Sequence, residues 1–353
     1  MSKWTSFLAV RITIVCILLM ASTQPALGQA PVAKMSELET KLYAAAKKEG
    51  EVVYWDTLSL KEAKAAINEF SAKYPGIKVT YFESTSDMLE ERYLAEHQAG
   101  RHAADLMQIE AYDRFKKAGL LAGFKDLIDD TGYPKKFCTE DFDALSLDHS
   151  VYGVAYNTKL ISPKDAPRSW DELLDPKWKG KINLEPRMFF FLMNTPNWGE
   201  GNTIEYLKKL RGQNPIFGKG SSAILTLLSA GEFSIAMSVL LHGTIREKAK
   251  GSPIAWMPLP AAGRLAPSII PRYAPHPNAA RLLMRWWIGP EGQSFIDKVR
   301  GKGNPLPGAG TSQARVLQEL GITDVFMAKS WTMDVEGLRK TYEGAVGFSS
   351  KKK

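Results

Sequence analysis

Between Glu51 and Ile109 the chain alternates short apolar runs with amphipathic stretches, and this alternation leaves few possible folds. Val52–Trp55 (VVYW), Ile77–Phe82 (IKVTYF) and Ala104–Ile109 (ADLMQI) read as strands, rich in β-branched and aromatic residues. Helices fill the gaps. Ser59 with Glu62 forms an S-x-x-E capping box, and Pro75-Gly76 breaks the helix it starts. Asp87 with Glu90 is expected to cap the next helix, which ends near Gly100. A helix before the first strand, Ser36–Lys48, opens on Ser36 and Glu39 and stops at Gly50. Strand–helix–strand–helix–strand at this spacing predicts a parallel sheet with right-handed crossovers.

In such a sheet, ligands bind beyond the carboxyl ends of the strands. Three polar strand ends therefore mark one edge: Asp56-Thr57, Ser84-Thr85-Ser86 and Glu110, with Trp55 before the first of them either a core residue or a ring for a ligand to lie along. Their residue types also suit simple helix capping, so each one alone has two readings; their convergence favours a site. Helix N-termini at that edge suit an anion.

A second segment repeats the logic. Val151–Asn157 is apolar and β-like, a candidate crossover between two halves. In SWDELLDPKWKGKINLEP (Ser169–Pro186), Ser169 and Glu172 cap a short helix, Pro176 stops it, Lys181–Leu184 is a strand, and Arg187 follows the strand end. Arg187 has a planar fork that matches carboxylate or phosphate, and it could equally sit in a surface salt bridge. Phe233–Val239 (FSIAMSV) is a further strand that places Ser238 and, beyond its end, His242 near the same edge. Gly263–Pro271 reads as the return crossing, and Asn278–Ile288 and Pro290–Val299 as a late helix pair.

The first 28 residues read as a cleaved secretory signal: Lys3 and Arg11, the apolar run Ile12–Met20, and small residues Ala26-Leu27-Gly28. Without Lys3 and Arg11 the formal net charge falls from +8 to +6, a basic balance that attracts anions or is simply a solvated lysine surface. No basic stripe with interleaved aromatics is present, which argues against nucleic acid. Cys138 alone remains after cleavage and is read as a buried, inert thiol. No nucleophile-elbow, zinc-protease or P-loop motif supports an enzyme. His97 and His102 flank a helix end and are read as surface residues, His149 and His276 as structural ones.

Several segments, in order, resemble the solute-binding proteins of bacterial ABC importers, in the branch that includes the ferric-iron-binding proteins. They are EGEVVYW (Glu49–Trp55), PGIKVTYF (Pro75–Phe82), AADLMQIEAYDRFKKAGLL (Ala103–Leu121), GVAYNTKL (Gly153–Leu160), DPKWKGKI (Asp175–Ile182) and HPNAARLLMRWWIGPEGQSFI (His276–Ile296). The resemblance implies an α/β, two-lobed periplasmic-binding-protein fold of type II, each lobe a mixed, mostly parallel sheet flanked by helices and joined by hinge strands. The expected division is 1–28 signal peptide, 29–152 plus 263–306 first lobe, and 153–262 plus 307–350 second lobe. The implied protein is a periplasmic, monomeric receptor that hands a small ligand to a permease in the inner membrane; the same closed form could instead dock a membrane sensor.

Iron-binding members use a first-lobe carboxylate, where Glu110 stands, and two adjacent tyrosines, where this chain has Leu241 and His242. Leucine has no donor atom. The expected ligand is therefore a small anion or organic solute, with no cofactor; were a metal bound, Glu110 and His242 would hold it. The expected ligand-binding set is Trp55, Asp56, Thr57, Ser84, Thr85, Glu110, Arg187, Ser238 and His242.

Overall fold

The computed structural model describes residues 35–218, 220–323 and 325–348. The expected signal peptide and the terminal lysine run lie outside the described residues. Among the described residues, no helix is long and apolar enough to cross a membrane.

Two sheets organise the chain. The strands are β1 (Glu51–Asp56), β2 (Lys78–Glu83), β3 (Leu106–Gln108), β4 (His149–Asn157), β5 (Ile182–Leu184), β6 (Ile216–Phe217), β7 (Ile235–Leu240), β8 (Ile254–Trp256), β9 (Ala261–Leu265), β10 (Ser268–Ile269) and β11 (Val325–Lys329). The first sheet has the order β10-β3-β1-β2. Its β1 runs parallel to both neighbours, with Trp55 opposite Phe82 and Met107, while β10 is antiparallel to β3. The carboxyl ends of β1, β2 and β3 therefore share one edge, as the alternating pattern requires.

Local signals explain most of this half. Ser36 Oγ accepts from Glu39 N at 3.0 Å, and Gly50 closes the first helix (Glu37–Glu49) in the left-handed conformation. Ser59 and Glu62 form the reciprocal capping box at the start of helix Leu60–Lys73. The third expected cap differs. Helix Ser86–Gln98 starts two residues early, with Thr85 at the cap position and no side-chain cap bond. Glu90 lies too far into the helix to reach back. Its carboxylate turns inward and accepts the backbone amides of Glu110 and Ala111 instead.

The second sheet has the order β11-β9-β4-β7-β5-β6, with β8 also paired to β4. Long β4 is antiparallel to β7 and β9. One face carries an aromatic cluster. Trp170 stacks on Phe190 with ring centres 4.1 Å apart, and Phe191, Trp198 and Tyr206 pack edge-on around them. The segment from Ser169 forms two short 3₁₀ turns rather than an α-helix, before β5. After β5 the chain enters helix Phe189–Trp198 through Met188 in the left-handed conformation.

Two antiparallel segments cross between the sheets. Leu145 exchanges backbone hydrogen bonds with Ser268, at 3.1 and 2.7 Å. Four residues beyond Leu145 the chain enters β4; three residues before Ser268 it leaves β9, where Ser150 pairs with Arg264. The return crossing thus belongs to the second sheet as far as Leu265 and to the first from Ser268.

The late helix pair packs through a glycine. A Cβ on Gly292 would lie 2.3 Å from the carbonyl oxygen of Trp286 and 2.6 Å from the Cα of Trp287, both rigid backbone atoms. Gly292→Ala should therefore destabilise the protein by about 1–3 kcal/mol, the usual penalty of overpacking. Urea denaturation would read this as a lowered midpoint with unchanged slope; an unchanged midpoint would show that the helix pair yields.

Candidate functional site

The shared strand edge opens onto a cavity of about 940 Å³. From the first sheet come Thr57 after β1, Glu83 to Ser86 around the end of β2, and Gln108 and Glu110 around β3. The second sheet contributes Ser150 on β4, Arg264 on β9 and Arg187 beyond β5. Asp148, Arg300 and Lys302 close the side nearest the crossing segments.

Charge dominates this cavity. Arg187, Arg264, Arg300 and Lys302 face Glu83, Glu110 and Asp148, a surplus of one positive charge. Arg264 forms an ion pair with Glu110 from the opposite sheet. Burial opposes the charge on Arg264, but Glu110 and then Tyr152 outweigh it and raise its pKa. Asp148 pairs with Arg300 and sits 3.6 Å from Lys302. Burial alone would raise the Asp148 pKa; the two cations override it and hold the carboxyl well below the usual range. Burial also lowers the pKa of Lys302. Arg187 is half exposed and reaches the buried Glu185 at 2.7 Å. Both Arg187 and Arg264 lie over the ring of Phe189, at 5.3 and 5.8 Å from its centre, and Tyr152 stacks on that ring at 5.2 Å. The aromatic platform keeps the two guanidinium groups on one wall of the cavity.

The opposite wall is polar, with the carboxylates of Glu83 and Glu110 beside hydroxyls and a helix start. Helix Ser86–Gln98 opens there, and no side-chain oxygen caps its first turn. Thr57 Oγ1 donates to Gln108 Oε1 at 2.9 Å. A ligand meets hydroxyls, a helix start and guanidinium groups, a combination suited to a polar anion.

Thr57, Ser84, Thr85, Glu110 and Arg187 line this cavity. Trp55, Asp56, Ser238 and His242 are not brought to it. Trp55 is 1% exposed, packed against Phe82 and beneath Arg92. Asp56 is buried below the strand end, where it accepts from Tyr54 Oη at 2.5 Å and from the amides of Thr57 and Leu58. Ser238 is an extra residue on β7, where the register with β4 shifts. Its φ of 62° turns the hydroxyl to accept from Phe190 N at 3.1 Å, which anchors the helix carrying Phe189. His242 is buried in the first turn of helix Leu241–Ala249. Its Nδ1 has no hydrogen-bond partner, and Gly301 packs against its Cβ.

Glu110 and His242 are thus not a ligand pair: one is engaged by Arg264 and the other lies outside the cavity. No group of three or more His, Cys, Asp and Glu side chains that could hold a metal ion occurs among the described residues. Sequence reasoning missed Asp148, Ser150, Arg264, Arg300 and Lys302. Arg264 stood in the stretch read only as a crossing, and the pair of cations around Gly301 was the visible signal for the other basic residues.

Residues 55–294 match the family described as "Bacterial extracellular solute-binding protein". The chain is 30% identical over 201 residues to the "Major ferric iron-binding protein" of Neisseria meningitidis. That match spans 53% of this chain and 59% of the relative, so less than two thirds of the curated relative is covered. The fold is similar to that of the substrate binding protein of an ABC transporter from Agrobacterium tumefaciens, with a TM-score of 0.63 at 16% identity, covering 84% of this chain and 94% of the other. It is also similar to the periplasmic binding protein AfuA from Actinobacillus pleuropneumoniae, solved with fructose-6-phosphate bound: TM-score 0.61, 20% identity, 85% and 99% coverage.

The buried His242 generates a pH prediction. Burial, then Lys302, lowers its pKa from 6.5 to about 3. The unfolded chain therefore takes up this proton first. The stability tied to neutral His242 is complete above about pH 6.5 and is lost as pH falls toward 3. Between pH 7 and pH 5 it amounts to about 2 kcal/mol. His242→Leu should shrink the wild-type stability difference between these two pH values by about that amount, measured by urea denaturation at each. An unchanged difference would show that His242 titrates normally in the folded protein.

Proposed function

The chain belongs to the bacterial extracellular solute-binding protein family, and from that premise we propose that it is the periplasmic, substrate-binding component of an ABC importer whose ligand is a small polar anion. The observation that carries the anion reading is the wall formed by Arg187 and Arg264 over Phe189, facing the uncapped start of helix Ser86–Gln98. The proposed lobes, 29–152 plus 263–306 and 153–262 plus 307–350, are centred on the two sheets. Closure of one on the other would present the loaded form to a permease.

In this reading Glu110 is the counter-ion of the empty site. An incoming phosphate or carboxylate displaces it from Arg264 and takes Arg187 as a second partner. The hydroxyls of Thr57, Ser84, Thr85 and Ser150 hold the remaining oxygens. A phosphorylated sugar has this chemistry, and AfuA's bound fructose-6-phosphate makes that class the first to test. Ferric iron, named for the Neisseria relative, is the weaker alternative. Leu241 and His242 stand where the resemblance places two tyrosines, and both are buried.

Calorimetry with fructose 6-phosphate, inorganic phosphate, citrate and ferric iron tests the proposal. One anion of the set should bind stoichiometrically and be recovered unchanged; turnover would mean an enzyme. Arg264→Gln and Arg187→Gln should each weaken that anion about 10- to 100-fold, the worth of a charge-assisted hydrogen bond. Glu110→Gln should tighten it, because the competitor is gone. Affinity unchanged in both arginine variants would remove the anion site, and a visible charge-transfer band with ferric iron would favour the alternative.

A further inference from the structure

The helix that opens the cavity with its first turn carries His97 in its last, roughly 17 Å away along the axis. Gly100, at φ 69°, turns the chain there. The turn is closed by backbone bonds from Gly100 N to His97 O at 2.9 Å and from Arg101 N to Glu96 O at 2.8 Å. His102 is thereby folded back onto His97, with His97 Nδ1 and His102 Nε2 3.0 Å apart. The rings are held in place by neighbours. His97 lies between Tyr93, nearly parallel at 5° and 6.5 Å, and Tyr273, at 24° and 5.6 Å. His102 stacks on Tyr273 at 4.9 Å. Tyr93 is fully buried and stacks on Phe115, so the stack is anchored in the core of the first lobe. Both imidazoles remain partly open to solvent.

We propose that His97 and His102 form a two-imidazole site for a divalent d-block cation of the Cu(II) or Ni(II) type. Imidazole nitrogen is a preferred ligand of these ions. With metal–nitrogen bonds of about 2.0–2.1 Å, two cis ligands at a right angle lie about 2.9 Å apart, and two tetrahedral ligands about 3.4 Å apart. The 3.0 Å separation matches the cis arrangement of square-planar or octahedral ions. Among the described residues, no third protein ligand of the His, Cys, Asp or Glu type joins the pair. Water or a small exogenous ligand would complete the coordination, and hard ions such as calcium, which need several oxygen ligands, are excluded.

Binding needs a lone pair on both facing nitrogens. In the neutral pair one of these nitrogens carries the shared proton. That ring moves the proton to its other nitrogen through solvent, and the metal replaces the hydrogen bond with no net proton release. The stacked tyrosines fix both ring planes beforehand, so little side-chain entropy is lost when the metal binds.

The test uses the untagged, processed protein, titrated with NiCl2 by calorimetry and with CuCl2 by electron paramagnetic resonance. Wild type should bind one Ni(II) and show nitrogen superhyperfine structure from two imidazoles with Cu(II). His97→Gln and His102→Gln should each weaken Ni(II) at least tenfold and lose one imidazole from the Cu(II) spectrum. Their metal-free melting temperatures, compared with wild type, establish that the fold is retained. No binding to wild type, or equal binding by both variants, would overturn the proposal. So would binding lost in Glu110→Gln but kept in His97→Gln, which would place the metal in the cavity.

Discussion

Asp148 holds the molecule together at the point where its two sheets meet. It immediately precedes β4, the long strand that leads out of the first half, and its carboxylate is engaged by Arg300 and Lys302 from the segment after the late helix pair. Placing a charge there costs several kcal/mol in lost hydration unless partners satisfy it. Two cations do so, and His149 N adds a backbone bond to Lys302 O at 3.0 Å. Gly301 lies between the two cations at φ 66°, a conformation in which both flanking side chains reach one carboxylate. Breaking the cluster would free the floor of the cavity and the crossing segments together.

Most of the first half was legible in the chain. The N-cap at Ser36, the capping box at Ser59, the break at Pro75-Gly76 and the β-branched runs are local devices, and local devices survive folding, although Glu39 turns to Tyr74, Lys73 and Arg285 instead of closing a box at Ser36. The cap assigned to Asp87 failed because Glu90 found a stronger use: two amides at Glu110 and Ala111, twenty residues away in sequence. That contact depends on how the helix packs, which no local pattern encodes.

The site was legible as an edge but not as a list of residues. Strand ends point to where a ligand binds, yet alternate residues face opposite ways. Trp55 and Asp56, on opposite faces of β1, are both buried because each face of the strand is covered, and only Thr57, past the strand end, reaches the cavity. Ser238 sat on a correctly read strand, but a register shift turned it toward the backbone of Phe190. Arg300 and Lys302 reach the cavity only because the tail returns across the junction, so their role follows from topology rather than from spacing. The histidines at 97 and 102 show the same limit: the intervening turn at Gly100, invisible as a pairing signal, makes neighbours of two residues that look merely exposed.

The pairing of Glu110 with Arg264 changes what affinity means for this receptor. A ligand does not meet a vacant guanidinium. In the proposed reading it competes with a carboxylate that the fold already holds in contact with the guanidinium, so the rival partner acts as an intramolecular group of high effective concentration. Weak, abundant monoanions below that level leave the pair intact. On that reading, only a ligand that also engages Arg187 and the hydroxyls opposite wins the exchange. Discrimination is thereby built into the empty protein, as a threshold that a solute must exceed before the two halves have reason to close.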